Sequence, residues 1–122
     1  MSTFGWKTLP VLALTLFVAM TPASAQNLDF MKDAPIASFT DQDMQLFKQT
    51  LSGVLDDGTI GEARSWSNPD TKARGEVTAV KSFEREAVPC RRVAVKNWAK
   101  GRSASGKYNF CKQPSGQWAA AS

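Results

Sequence analysis

The sequence contains no histidine. That removes the Ser-His-Asp and Cys-His arrangements of nucleophilic catalysis and every histidine-based metal site. Only two cysteines occur, Cys90 and Cys111, and their spacing rules out a C-x-x-C redox pair. No S-x-x-K motif supports a Ser-Lys nucleophile. Asp56-Asp57 lacks the alternating acids of an EF-hand loop and reads as a helix-end turn. Asp41 and Asp43 fit helix capping better than paired glycosidase carboxylates. No catalytic residue, metal ligand or cofactor site is assigned. Long apolar runs are equally scarce: one occurs, near the N-terminus, and no second follows it. The last absence is local, because between Arg91 and Lys112 there is no acidic residue.

What is present begins with the address. Lys7 supplies a positive n-region and Leu9–Met20 an apolar h-region. Thr21-Pro22-Ala23-Ser24-Ala25 is a small-residue exit with alanine at both −3 and −1. The run is shorter than the about 20 residues needed to span a bilayer. Residues 1–25 are therefore expected to be a signal peptide, leaving 97 of 122 residues as one small domain without an integral membrane segment. In an exported chain of this size, Cys90 and Cys111 are expected to form a disulfide.

Charge divides the remainder. From Asp29 to Glu62, seven acids face two bases, a balance of −5; from Ala63 onward, twelve bases face four acids, a balance of +8. Seven of those bases lie in the acid-free run: Arg91, Arg92, Lys96, Lys100, Arg102, Lys107 and Lys112. A cationic surface favours anionic partners.

Residues 26–37 read as a linker, followed by a folded domain over 38–122. Thr40 is a good N-cap, Asp41 and Asp43 occupy the first turn, and Phe39 and Met44 stand at staple positions. Met44, Phe47, Leu51, Val54 and Leu55 make one apolar face, and Gly58 provides a stop. The spacing predicts a helix over 41–56. Beyond it, strands are expected at Ile60–Ser67, Gly75–Arg85, Pro89–Lys100, Lys107–Gln113 and Gln117–Ala121, separated by turn clusters. Short links favour antiparallel neighbours. The expected fold is α+β: one N-terminal helix on an antiparallel meander of four to five strands, with one disulfide.

Antiparallel strands pair residues of constant index sum. Cys90 and Cys111 sum to 201, which centres their hairpin near 100–101, at the edge of the loop expected over Gly101–Gly106. A cross-strand disulfide with a small bulge is the expectation, with Val93 facing Tyr108. Gly101 to Lys107 also has the spacing of a phosphate-binding G-x-x-x-x-G-K loop. Tyr108 stands where the magnesium-binding Ser or Thr belongs, and a strand follows where a helix should begin. A flexible hairpin loop is the better reading. Trp98, Tyr108 and Phe110 interleave with the bases, a pattern that can bind nucleic acid, but export argues against that partner. Two readings stay open: a solvated face with its aromatics turned inward, or a surface for an anionic envelope ligand such as lipopolysaccharide phosphates, acidic peptidoglycan groups or anionic lipid headgroups.

The stretch from Gly61 to Trp118 resembles the C-terminal domain of the proteobacterial, rickettsial-type 17 kDa surface antigen family. The resemblance rests on Trp66-Ser67-Asn68-Pro69-Asp70-Thr71, on Gly75-Glu76-Val77, on Cys90-Arg91-Arg92, and on Cys111 to Trp118 with Gly116 inside it. It implies a small envelope domain with no established catalytic activity. Trp66 and Trp118 would cover the sheet, with Asn68 and Gly116 enabling turns. This chain departs from lipoprotein members in having no cysteine at the cleavage site, and from others in lacking a glycine-zipper segment. The expectation is a non-enzymatic exported protein, periplasmic or associated with the outer membrane or cell surface and not lipid-anchored. It would bind an anionic envelope component or a protein partner through its basic sheet, with no oligomeric state implied. Small size, export and a disulfide also suit a secreted inhibitor of a host or competitor hydrolase.

Overall fold

The computed structural model describes Leu28, Phe30, Met31 and residues 34–122. The signal peptide expected over 1–25 lies outside the described residues. A short helix, α1 (Ala34–Ala37), precedes the main helix α2 (Asp41–Asp57). Five strands follow: β1 (Ala63–Ser67), β2 (Arg74–Arg85), β3 (Val88–Ala99), β4 (Arg102–Lys112) and β5 (Trp118–Ala121). They form one sheet in chain order, every neighbouring pair antiparallel. The α+β architecture expected from the sequence is the one observed.

Helix α2 starts where its capping chemistry dictates. The Thr40 hydroxyl accepts from the Asp43 amide at 3.1 Å, and the Asp43 carboxylate accepts from the Thr40 amide at 2.9 Å, a complete capping box. Phe47, Leu51, Val54 and Leu55 are buried on one side, where Phe47 and Phe39 meet the ring of Trp66. Gly58 ends the helix in extended backbone rather than a left-handed turn, and its place is fixed by space: a Cβ there would lie 2.7 Å from the Val54 carbonyl oxygen.

The core lies between α2 and one side of the sheet. The segment expected as a linker is part of it. Leu28 and Met31 are only 7% and 2% exposed, and Phe30 meets Tyr108 and Phe110 edge-on at 5.2 and 6.0 Å. Helix α1 packs on β3 and β4, the area of sheet that α2 leaves open. The linker reading failed because a few spaced apolar residues have no helical or strand period; what recruits them is uncovered apolar surface, a tertiary demand.

The Gly101–Gly106 loop is also corrected. Lys100 and Gly101 alone make the turn, at φ of 56° and 74°, and Arg102–Gly106 are already strand. Two central residues of positive φ match the twist of a two-residue hairpin. Glu86-Ala87 turns β2 into β3 in the same way, at 52° and 67°. The β3–β4 register keeps the sum of 201 without a bulge, pairing Cys90 with Cys111 and Val93 with Tyr108. The disulfide is formed. The bulge sits elsewhere, at Val80 in β2, where the register shifts between Ala79 and Lys81.

Candidate anion-binding face

Alternation along each strand sends successive side chains to opposite sides of the sheet. One side carries Trp66, Val77, Ala79, Val93, Val95 and Phe110, and is covered by the helices. The other has no helix among the described residues on it. Registered pairs place the cations of the bare side in order along the strands. Arg74 lies beside Trp98, then Lys96 beside Glu76, Lys107 beside Ala94, Lys81 beside Arg92, and Arg85 beside Val88. Five of these six cations are exposed and Arg92 is half-buried. Among the described strand residues, Glu76 is the one acid on this side.

The Val80 bulge decides this composition. Carried through without it, the phase set by Arg74, Glu76 and Thr78 would put Ser82 and Glu84 on the bare side. The extra residue turns the strand over and presents Lys81, Phe83 and Arg85 instead.

Two aromatic residues hold four of the cations. The Arg74 guanidinium lies 3.9 Å from the centre of the Trp98 ring, with the Lys96 ammonium at 5.0 Å. The Lys81 ammonium and the Arg85 guanidinium lie 5.6 and 5.8 Å from the Phe83 ring. Ring quadrupoles attract such cations and restrict where the heads sit.

The seven bases singled out in the sequence are not brought together. Arg92, Lys96 and Lys107 are on the bare face. Lys100 is in the hairpin turn, while Arg102 and Lys112 point to the helix side at the sheet's rim, Lys112 with its ammonium 5.8 Å from the Trp118 ring. Arg91 faces the end of α2. It donates from Nη1 to the Val54 and Gly58 carbonyls at 2.7 Å each, and from Nε to Ser82 Oγ at 3.0 Å. The Val54 carbonyl already accepts from the Gly58 amide at 3.0 Å, so Arg91 is its second donor, while the Gly58 carbonyl, just past the helix end, takes its donor from Arg91. Three bases of the bare face, Arg74, Lys81 and Arg85, lie outside the acid-free run and were missed. The signal for Arg74 was the period-two reading of β2; for Lys81 and Arg85 no sequence signal located the bulge that turns them outward.

The remaining motif residues tie the covered side together. Asn68 Nδ2 and Thr71 Oγ1 each donate to Asp43 Oδ1 at 2.7 Å, so the β1–β2 turn is bonded to the start of α2. Asn68 Oδ1 also accepts from the Asp70 amide at 3.0 Å. Burial pushes the Asp43 carboxyl up, but hydrogen bonds from the Thr40 backbone, Thr71, Asn68 and the Thr40 side chain outweigh it and hold the group below its ordinary value. Trp118 Nε1 donates to Asp56 Oδ1 at 2.8 Å near the other end of α2. Gly75 lies under the Trp66 indole nitrogen and the Asn97 amide oxygen, which leave no space for a Cβ. Gly116 turns the chain toward β5 at a φ of 89°.

Residues 53–119 match the family described as 17 kDa outer membrane surface antigen. That stretch is more than half of the chain. The protein belongs to the 17 kDa outer membrane surface antigen family. The 17 kDa surface antigen of Rickettsia prowazekii (strain Madrid E) is 32% identical over 79 residues, which are 64% of this chain and 50% of that protein. The chain thus spans about half the length of the curated relative it matches. No solved structure matches it. The surface-antigen match takes in the disulfide and all six cations of the bare face, together with Trp66, Asn68, Gly75, Gly116 and Trp118. It begins after Asp43, so the capping box that fastens α2 to the turn lies outside it.

Proposed function

We propose that this protein is an exported, non-enzymatic envelope protein that binds an anionic component through the helix-free face of its sheet. The carrying observation is the sorting of charge: Arg74, Lys81, Arg85, Arg92, Lys96 and Lys107 share that face with Glu76 as their acidic neighbour. The family's description as an outer membrane surface antigen supports an envelope setting, periplasmic or at the surface. The small-residue exit ending at Ala25, followed directly by Gln26 rather than cysteine, supports release of the mature chain rather than lipid anchoring. Attachment would then rest on the basic face.

The test is partition of the mature chain to purified envelope at two salt concentrations. Exposed charges are screened over about 8 Å at physiological ionic strength. Binding should therefore fall as salt rises, and should be lost in the Arg92→Glu/Lys96→Glu/Lys107→Glu variant. Arg91 is left intact, because its loss would disturb the end of α2. Salt-independent binding, or full binding by the triple variant, would overturn the reading. Protease accessibility on intact and osmotically shocked cells separates the two compartments.

A further inference from the structure

The cations of the bare face lie along one narrow line. Successive cross-strand rows, about 6.7 Å apart along the strands, carry Arg74, then Lys96, then Lys107, then Arg92 with Lys81, and, after the row of the disulfide and Phe83, Arg85. The line bows from β2 across β3 to β4 and back to β2. Trp98 and Phe83 back its two ends, and the eight residue steps from Trp98 to Phe83's partner Cys90 separate them by about 27 Å. Between them the face is shallow: Thr78, Ala94, Ser105 and Asn109 are short side chains.

We infer that this line is a track for a linear anionic polysaccharide, gripped at one end by Arg74 and Lys96 on Trp98 and at the other by Lys81 and Arg85 on Phe83. The inference rests on the anion-binding reading above and names its ligand. A file of charges with small side chains between them fits a polymer lying along the strands. A bilayer surface would be met by a broad cationic area with apolar side chains to insert, and the exposed large apolar residues among those described, Phe30 and Ile60, are off this face. A single-stranded nucleic acid needs open rings on which bases stack, and here the rings already carry the protein's own cations. Cation heads held on rings lose less freedom when an anion binds. Two such grips on one polymer act together, so affinity depends on the polymer reaching both.

Calorimetry of the mature chain with length-graded heparin and polygalacturonate oligosaccharides tests this, the first supplying sulfates and the second carboxylates. Affinity should climb with length until one oligosaccharide spans both grips and then level off, with spanning chains bound at least about tenfold tighter than short ones. Arg74→Gln and Arg85→Gln should each remove that advantage for spanning chains while leaving the unfolding midpoint unchanged. Arg102→Gln/Lys112→Gln, at the rim of the other face, should leave it in place. Affinity independent of length, or an equal loss in the rim variant, would overturn the track. Tighter binding to phosphatidylglycerol vesicles or to oligodeoxythymidylate would overturn the polysaccharide while the anion-binding face stands. Failure to bind any of these probes, and envelope as well, would remove both.

Discussion

The two faces of this sheet are made from the same strands and share almost no chemistry. On the covered face, side chains work on the protein itself: Phe47 meets Trp66, Arg91 holds the end of α2, and the Asp43 cluster holds its start. On the bare face, six cations are directed to solvent, and aromatic residues hold four of them by their rings. Adjacent residues can therefore have opposite roles. Arg91 and Arg92 are neighbours in sequence and lie on opposite faces; one belongs to the fold and the other to the surface.

The comparison is tested hardest in the core. Phe47→Ala should lower unfolding free energy by about 4 kcal/mol, since a fully buried ring leaves a cavity between α2 and the sheet. Denaturant titration checks it; a loss near that of a surface change would mean that α2 does not hold the covered face. Next is the covalent link between β3 and β4. Cys90→Ala/Cys111→Ala closes no 21-residue loop and should cost about 3 kcal/mol, measurable as a lowered thermal midpoint that reducing agent no longer alters.

The arginine pair separates the faces directly. Arg91→Gln removes the donor of the Gly58 carbonyl and the second donor of the Val54 carbonyl, and should cost about 2 kcal/mol. Arg92→Gln should change stability by less than about 0.5 kcal/mol while weakening anion binding. Equal destabilisation by both would erase the distinction between the faces.

A smaller and pH-dependent effect belongs to Asp43. Its carboxyl is held below the ordinary value of 3.8 in the folded chain, so the unfolded chain takes up the proton first. The resulting stabilisation is complete above the unfolded value and is lost as pH falls through the lower folded one. Asp43→Asn should flatten that part of an acid-unfolding profile, and an unchanged profile would remove Asp43 as its source.

Much of the fold was legible. The capping pattern at Thr40 and the spacing from Phe47 to Leu55 located α2 within a residue of its observed end. Cysteine arithmetic set the β3–β4 register, because a period-two ladder allows one pairing once two partners are joined. The errors have a common origin. Residues 26–37 looked like a linker, and Gly101–Gly106 like a loop, because neither has a local preference strong enough to show. In the folded chain, open apolar surface recruits Leu28 and Met31, and the full length of β3 supplies partners for Arg102–Gly106. The candidate face was half legible for the same reason: three of its cations fell in the acid-free run, and three came from β2.

By itself the sequence determined what local chemistry can set: the start of α2, the disulfide and its hairpin register, and the excess of bases in the C-terminal half. Only the tertiary structure decided which of those bases act together. A run in sequence gathers both faces of a strand. A bulge at Val80 reverses the phase of half of β2, bringing Lys81 and Arg85 outward while Arg91 is turned in to the helix. Side-chain direction is a period-two property, and its phase is set by pairing and packing across the whole sheet.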